Sequence, residues 1–302
     1  MKKKILAFGE IIWDVYPDKK VIGGAPFNFA AHAAICGASS ALISAVGNDE
    51  LGDDAVKALE GFGVDSRYVK RYKLPTGRCL VTLDENSVPH YNVIKDAAYD
   101  NVALEKEDIE DIKARKYDAL YFGTLIQRNG VSRASLAEIL KSCEFENVIC
   151  DVNLRPDCYD RESAELCLSN ATILKISLEE EPVLRETGLY APRGNELSDI
   201  AAALSESFAQ LRIIIITLGK DGSYLYSIPD KKEYRQTAIG NKVVSTVGAG
   251  DSFAASWLAN YLNGYPIEKC LKTASEVSGF VVANLQAVPS YSLANGALNI
   301  KD

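Results

Sequence analysis

One run of small residues ending in an acid dominates the chemistry this 302-residue chain could perform: Val243-Val-Ser-Thr-Val-Gly-Ala-Gly-Asp-Ser-Phe253. Ala254, Trp257, Leu258, Tyr261 and Leu262 follow at helical spacing, and Gly264 stands where a helix would be capped. A loop of small residues therefore opens a helix. Gly248, Ala249 and Gly250 let backbone N–H groups converge without side chains in the way, and a helix N-terminus adds positive potential, so the turn suits a phosphoryl group. Asp251, placed where the loop enters the helix, is expected to be ionised at neutral pH and able to take a proton from a hydroxyl. On the residues alone, Asp251 could equally cap the helix and the glycines could merely make a turn. The loop is neither G-x-x-x-x-G-K-[ST] nor G-x-G-x-x-G, since Phe253 stands at the third glycine of the latter.

Such a loop needs a scaffold. Short apolar runs recur at Lys4 to Phe8, Ala41 to Val46, Tyr117 to Phe122, Asn147 to Val152, Ile173 to Ile176 and Arg212 to Thr217. They do not alternate with polar residues, which predicts strands covered on both faces. Helical patterns lie between them, at Pro26 to Cys36, Leu51 to Phe62, Val131 to Cys143, Glu196 to Gln210 and Ser252 to Leu262. Strand and helix in alternation predict an α/β fold with a doubly wound, mostly parallel sheet flanked by helices. The rhythm breaks at Trp13 to Ile22 and at Tyr68 to Ile94, where Cys79 to Leu83 and Val88 to Ile94 flank the turn-forming Asp84 to Ser87 as a hairpin. These inserted strands, at about 13–22 and 68–94, are expected to pair into a small β-sheet lid on a single domain covering 1–302.

Composition removes several classes of function. The chain is 47% hydrophobic and 25% charged, enough for a folded core, and 33 Lys plus Arg against 41 Asp plus Glu give a net charge of −8. An acidic surface argues against nucleic acid and anionic membranes as partners. No apolar stretch approaches a membrane span, and the Met1-Lys-Lys-Lys start leads into an apolar run ended by Glu10, so a cytoplasmic protein is expected. Seven cysteines without a C-x-x-C fit reduced thiols, and the two histidines, His32 and His90, nearly exclude a histidine-rich metal site or a Ser/His/Asp hydrolase.

Ser245-Thr-Val-Gly-Ala-Gly-Asp251 resembles D-T-x-G-A-G-D, the C-terminal signature of the ribokinase-like (PfkB) carbohydrate kinases, in all but its first residue. Gly23-Gly-Ala-Pro-Phe-Asn28 is similar to that family's G-G-A-P-x-N, and Gly47-Asn-Asp-Glu-Leu-Gly52 to its G-x-D-x-x-G. Gly9 to Asp14, Tyr91, Tyr99-Asp100 and Asp151-Val-Asn-Leu-Arg-Pro156 look most like fructokinases. The resemblance implies transfer of the γ-phosphoryl group of ATP, carried with Mg²⁺, to a sugar hydroxyl, most simply D-fructose to fructose 6-phosphate. Ribose, 2-keto-3-deoxygluconate and nucleosides are the alternative acceptors, and a catalytically impaired sugar- or nucleotide-binding regulator is the rival from another class.

By that resemblance Asp251 is the catalytic base and the N–H groups of Gly248, Ala249, Gly250 and Asp251 form an anion hole. Asp14, Asn28 and the Gly23-Gly24 backbone bind the sugar, with Arg155 as a clamp on a phosphate or a sugar oxygen. Without the flanking pattern, Asp14 would read as a turn residue before Pro17, Asn28 as a surface residue, and Arg155 as half of an exposed salt bridge. ATP is expected at Thr217, Gly219 and Gly222, at the end of the Ile213 to Ile216 strand. Lys175, a cation inside an apolar strand, needs an anion, either a phosphate or an internal acid. Ser177 with Glu180 stands in for an Asn-x-x-Glu motif linked to Mg²⁺. Ser245, and Gln286 before Ala287, replace residues associated in many relatives with a monovalent cation, so K⁺ stimulation is expected to be weak or absent; Phe27 fills a usually small position. Exposed lid edges suggest a homodimer.

Overall fold

The computed structural model describes residues 2–83, 89–240 and 242–300. Nine strands form the main sheet: β1 (Lys4–Phe8), β4 (Ser39–Gly47), β5 (Val69–Tyr72), β8 (Ala119–Phe122), β9 (Asn147–Asp151), β10 (Ile173–Ser177), β11 (Ile213–Thr217), β12 (Ser223–Ser227) and β13 (Lys232–Gln236). Their order is β13-β12-β11-β10-β9-β8-β1-β4-β5. β5 to β11 run parallel to their neighbours, and β12 and β13 close one edge antiparallel. The order reverses beside β1, which pairs with β4 on one side and β8 on the other. The crevice beyond the carboxyl ends of such strands is where open α/β sheets bind ligands.

Period-two alternation divides the strand residues between two core layers. Ile5 and Ala7 of β1, Ala119 and Tyr121 of β8, and Ile213 and Ile215 of β11 face a layer built with Phe27 and Phe29 of α1 (Ala25–Ile35), Ala55 and Leu59 of α2 (Glu50–Gly61), Phe253 and Trp257 of α8 (Ala249–Leu262) and Leu271 of α9 (Ile267–Val282). Leu6, Phe8, Leu120, Phe122, Ile214 and Ile216 face the other layer, with α3 (Lys106–Arg115), α4 (Gly130–Ser142), α5 (Arg161–Asn170), α6 (Glu181–Arg185) and α7 (Leu197–Ser207). Both faces are covered, as the uninterrupted apolar runs require. All seven cysteines are free thiols, and among the described residues no helix is long and apolar enough to cross a membrane.

The small sheet has the order β3-β2-β6-β7, from β2 (Ile12–Val15), β3 (Lys20–Gly23), β6 (Gly77–Leu83) and β7 (Pro89–Val93). Two segments far apart in sequence meet where β2 runs parallel to β6, with Asp14 opposite Cys79. The turn expected at Asp84 to Ser87, and Val88 after it, lie outside the described residues. One boundary is corrected: residues 69–72 belong to the main sheet as β5, pairing with Ser44 to Gly47, and only the chain from Gly77 onward enters the small sheet. Alternation could not separate these strands because β5, Val-Lys-Arg-Tyr, is as polar as an inserted strand would be.

The Gly47 to Gly52 motif secures that crossing. Asp49 caps α2 through the Gly52 N–H (2.8 Å), and it also accepts from the Thr76 N–H (2.9 Å) and hydroxyl (2.6 Å) just before β6. A Cβ on Gly52 would fall 2.3 Å from the Gly47 carbonyl oxygen, so the backbone must pass without a side chain there.

Candidate active site

α8 begins where Gly248 takes φ 81°, a left-handed conformation that L side chains resist. In its first turn the Ala249 N–H points to the Thr246 carbonyl at 3.3 Å, while helix geometry leaves Gly250 and Asp251 N–H without intrahelical acceptors. Asp251 does not cap this helix. Its Oδ2 accepts from Asn28 Nδ2 of α1 at 2.8 Å, so the acid is held across the helix–helix contact. Burial pushes its pKa up to about 6 and the Asn28 hydrogen bond opposes the rise, which leaves the carboxylate predominantly ionised at neutral pH. Burial thus raises the acid where a helix N-terminus alone would be expected to lower it, and the side-chain amide of Asn28 is what opposes the rise.

Lys175 has an internal acid as its partner, the second of the two anions its sequence position allowed. Its Nζ lies 2.8 and 2.9 Å from the two carboxylate oxygens of Asp151, and both side chains are buried. Alternation along β10 turns Lys175 toward the layer that contains α8, and a Cβ on Gly250 would fall 3.2 Å from Nζ. Burial alone would discharge the ammonium, but the carboxylates of Asp151, Glu180 and Asp251 outweigh it and hold Lys175 protonated. A buried ion pair, its ammonium within reach of Gly250, therefore stands beside the small-residue loop.

The face opposite is polar. Asp14 sits in mid-strand on β2 rather than in a turn, and burial pushes its pKa up to about 6 against the pull of Arg155. A Cβ on Gly23 would lie 3.8 Å from Asp14 Oδ2, and one on Gly24, where φ is 104°, would clash with the Glu10 carbonyl oxygen at 2.6 Å. Asn28 is 3% exposed, not a surface residue, and its Oδ1 is buried without a hydrogen-bond partner among the described residues. Arg155 is exposed and makes no ion pair among the described residues, yet its charge acts on Asp14, Glu10 and Asp251 together.

The remaining residues lie at the ends of β10 and β11. Glu180 accepts from Leu154 N–H (2.6 Å) and Ser177 N–H (2.8 Å), while Ser177 Oγ accepts from Glu180 N–H (3.2 Å), a reciprocal turn that closes the β10 end. Among the described residues no group of three acidic, histidine or cysteine side chains could hold a metal by itself. Thr217 ends β11, Gly219 is exposed with open space about it, and Gly222 passes so close to Gln236 that a Cβ would fall 1.9 Å from its carbonyl oxygen. Gly222 is therefore required by the β12–β13 pairing.

Glu10 escaped the sequence reading. It ends the β1 crossing, is 4% exposed, and accepts from Ala25 N–H at 3.2 Å, tethering the start of α1. Burial, and then the charge of Asp251, push its pKa up to about 7. The available signal was an acid directly after an apolar strand at its carboxyl end.

Known proteins match the chain along most of its length. Residues 2–292 match the model of the pfkB family carbohydrate kinases. The ATP-dependent 6-phosphofructokinase of Thermoanaerobacterium thermosaccharolyticum is 26% identical over 95% of this chain and 90% of its own length. The uncharacterized sugar kinase PH1459 of Pyrococcus horikoshii is 30% identical over 82% of this chain and 76% of its own; its structure in complex with ATP superposes with a TM-score of 0.76, at 26% identity, over 94% of this chain and 93% of that one. The fold is also that of the Vibrio cholerae fructokinase bound to fructose, ADP and calcium, with a TM-score of 0.79 at 22% identity over 94% of each chain.

Proposed function

We propose that this chain, which belongs to the pfkB family of carbohydrate kinases, transfers the terminal phosphoryl group of ATP to a neutral monosaccharide, D-fructose to fructose 6-phosphate. Asn28 carries the reading: one end of its amide holds the acid Asp251 and the other end presents a buried acceptor, unpaired among the described residues, the arrangement a sugar hydroxyl donor would complete. Fructose over a charged acceptor follows from electrostatics. Asp14, Glu10 and Asp251 converge on the acceptor side, Lys175 lies by Gly250 on the side of the loop, paired with Asp151, and Arg155 is exposed. A sugar acid or sugar phosphate would meet three carboxyls with one solvated cation to offset them.

In this assignment Asp251 takes the proton from the attacking hydroxyl, and Asp14 and Asn28 fix that hydroxyl in line. The Gly250 and Asp251 N–H groups, reinforced by Lys175, face the charge developing on the transferring group. Glu180, at the β10 end, is the carboxylate we assign to the vicinity of Mg²⁺, which would neutralise phosphate charge when bound with ATP. Thr217 and Gly219 border the nucleotide, and exposed Val243, Val244 and Leu285 offer an apolar surface for a base.

Coupled ADP release with Mg·ATP and a panel of fructose, ribose, 2-keto-3-deoxygluconate, fructose 6-phosphate and a nucleoside tests the assignment. Fructose should lead in kcat/KM by at least about tenfold. A charged acceptor in first place would overturn the neutral-sugar argument, and silence across the panel would overturn the kinase reading in favour of a binding protein.

Two further expectations follow. Asn28→Ala should raise the sugar KM by about 10- to 100-fold, from loss of a buried hydrogen bond. It should also move the acidic limb of the rate profile above 6, because the bond it removes is the one that lowers the Asp251 pKa. Ser245 and Gln286 bring no carboxylate to the loop, so exchanging KCl for a tetraalkylammonium salt should leave turnover nearly unchanged; a drop of about tenfold would show that a monovalent cation is needed.

A further inference from the structure

His32 lies on α1 one turn beyond Asn28, wholly buried, with no part in the chemistry described so far. Its Nε2 is 2.9 Å from the Ala287 carbonyl oxygen and its Nδ1 is 2.8 Å from the Tyr291 hydroxyl. A carbonyl can only accept, so Nε2 carries a proton and donates. Burial pushes the imidazole down to about 4, so the ring is neutral and Nδ1 accepts from Tyr291. The same Ala287 carbonyl is the surface on which Gly248 rests: a Cβ at Gly248 would fall 2.6 Å from that oxygen and 3.0 Å from Ala287 Cα. Gly248 is the residue whose left-handed φ starts α8. One imidazole therefore fixes the backbone that the small-residue loop packs against, while Asn28 on the same helix face fixes the acid.

We propose that His32 is a positioning residue for phosphoryl transfer, holding the Ala287 carbonyl against Gly248 so that the Gly250 and Asp251 N–H groups keep their aim. The proposal rests on the kinase reading, and its test separates the two. His32→Leu should lower kcat by about 10- to 100-fold, the effect of a misplaced site, with KM for sugar and ATP within about threefold of the wild type. Amide hydrogen exchange across residues 245–253 should quicken by about tenfold, with the central strands unchanged. His32→Gln, whose amide reaches as far as Nε2, should restore most of the loss, while the shorter His32→Asn should not. Tyr291→Phe, which leaves the Ala287 bond in place, should cost no more than about threefold. Unchanged kcat and exchange in His32→Leu, or faster exchange everywhere, would overturn the proposal. Should the leucine variant not fold, equal kcat in the Gln and Asn variants would overturn it just as well. A wild type that phosphorylates no sugar refutes the kinase reading, whereas the exchange comparison still decides whether His32 secures the Gly248 turn.

Discussion

Asp251→Asn is expected to lower kcat by about 10²- to 10⁴-fold, the range for losing a general base, with little change in sugar or nucleotide affinity. The substitution is nearly silent for structure. An amide oxygen at the Oδ2 position still accepts from Asn28 Nδ2, so the α1–α8 contact survives. The sign of the stability change follows from the pKa. Burial raises Asp251 to about 6, so ionising it opposes folding; that penalty is full above pH 6 and fades as pH falls from there toward the ordinary carboxyl range. A neutral Asn carries no such penalty, and its melting temperature at pH 8 should be no lower than that of the wild type. Rate and pH should agree: wild-type kcat/KM falls as pH drops below about 6, where both Asp251 and Asp14 take up protons, so the limb is steeper than for one proton. The Asn variant keeps only the Asp14 share. Near-normal turnover with unchanged affinity in Asp251→Asn would end the assignment of this acid as the base.

The scaffold was readable because its physics is local. Ile5 to Phe8 and Ile213 to Ile216 are apolar at every position, and strands of that kind survive only between two covering layers. Gly248, Ala249 and Gly250 could be read as a bare backbone surface for the same reason. Positions whose meaning depends on a distant partner could not be resolved. Lys175 demanded an anion, but nothing linear distinguished Asp151, 24 residues earlier, from a phosphate. Glu180 looked like a metal-side acid; its exchange with Ser177 is a local turn, but its bond from the Leu154 N–H emerges only once β9 and β10 lie side by side. His32 was hidden by burial itself, since a lone histidine on a helix has no spacing to betray it. Val69 to Tyr72 was assigned to the inserted sheet because its polarity suits either sheet edge; the register with Ser44 to Gly47 decides it.

The largest loss of stability should come from breaking the Lys175–Asp151 pair. Lys175→Ala leaves a carboxylate 2% exposed with its cation gone, and a buried ion stripped of its partner typically costs about 3–5 kcal/mol. Denaturant unfolding should show that loss in Lys175→Ala. Asp151→Leu should be comparable, because it abandons an equally buried ammonium. The double variant Lys175→Met with Asp151→Leu removes both charges and keeps apolar volume at the α8-facing layer, so most of the stability should return, to within about 1–2 kcal/mol of the wild type. Catalysis should not return with it. Lys175 Nζ lies where a Cβ on Gly250 would approach to 3.2 Å, so the pair does more than neutralise itself: it sets a fixed cation under the loop that must face a phosphoryl group. We therefore expect a folded double variant whose kcat stays down by at least about tenfold, since a lost preorganised donor commonly costs more than that. Recovery of both stability and rate would make the pair a purely structural device, and the charge reaching the transferring group would then have to come from the backbone N–H groups and Mg²⁺ alone.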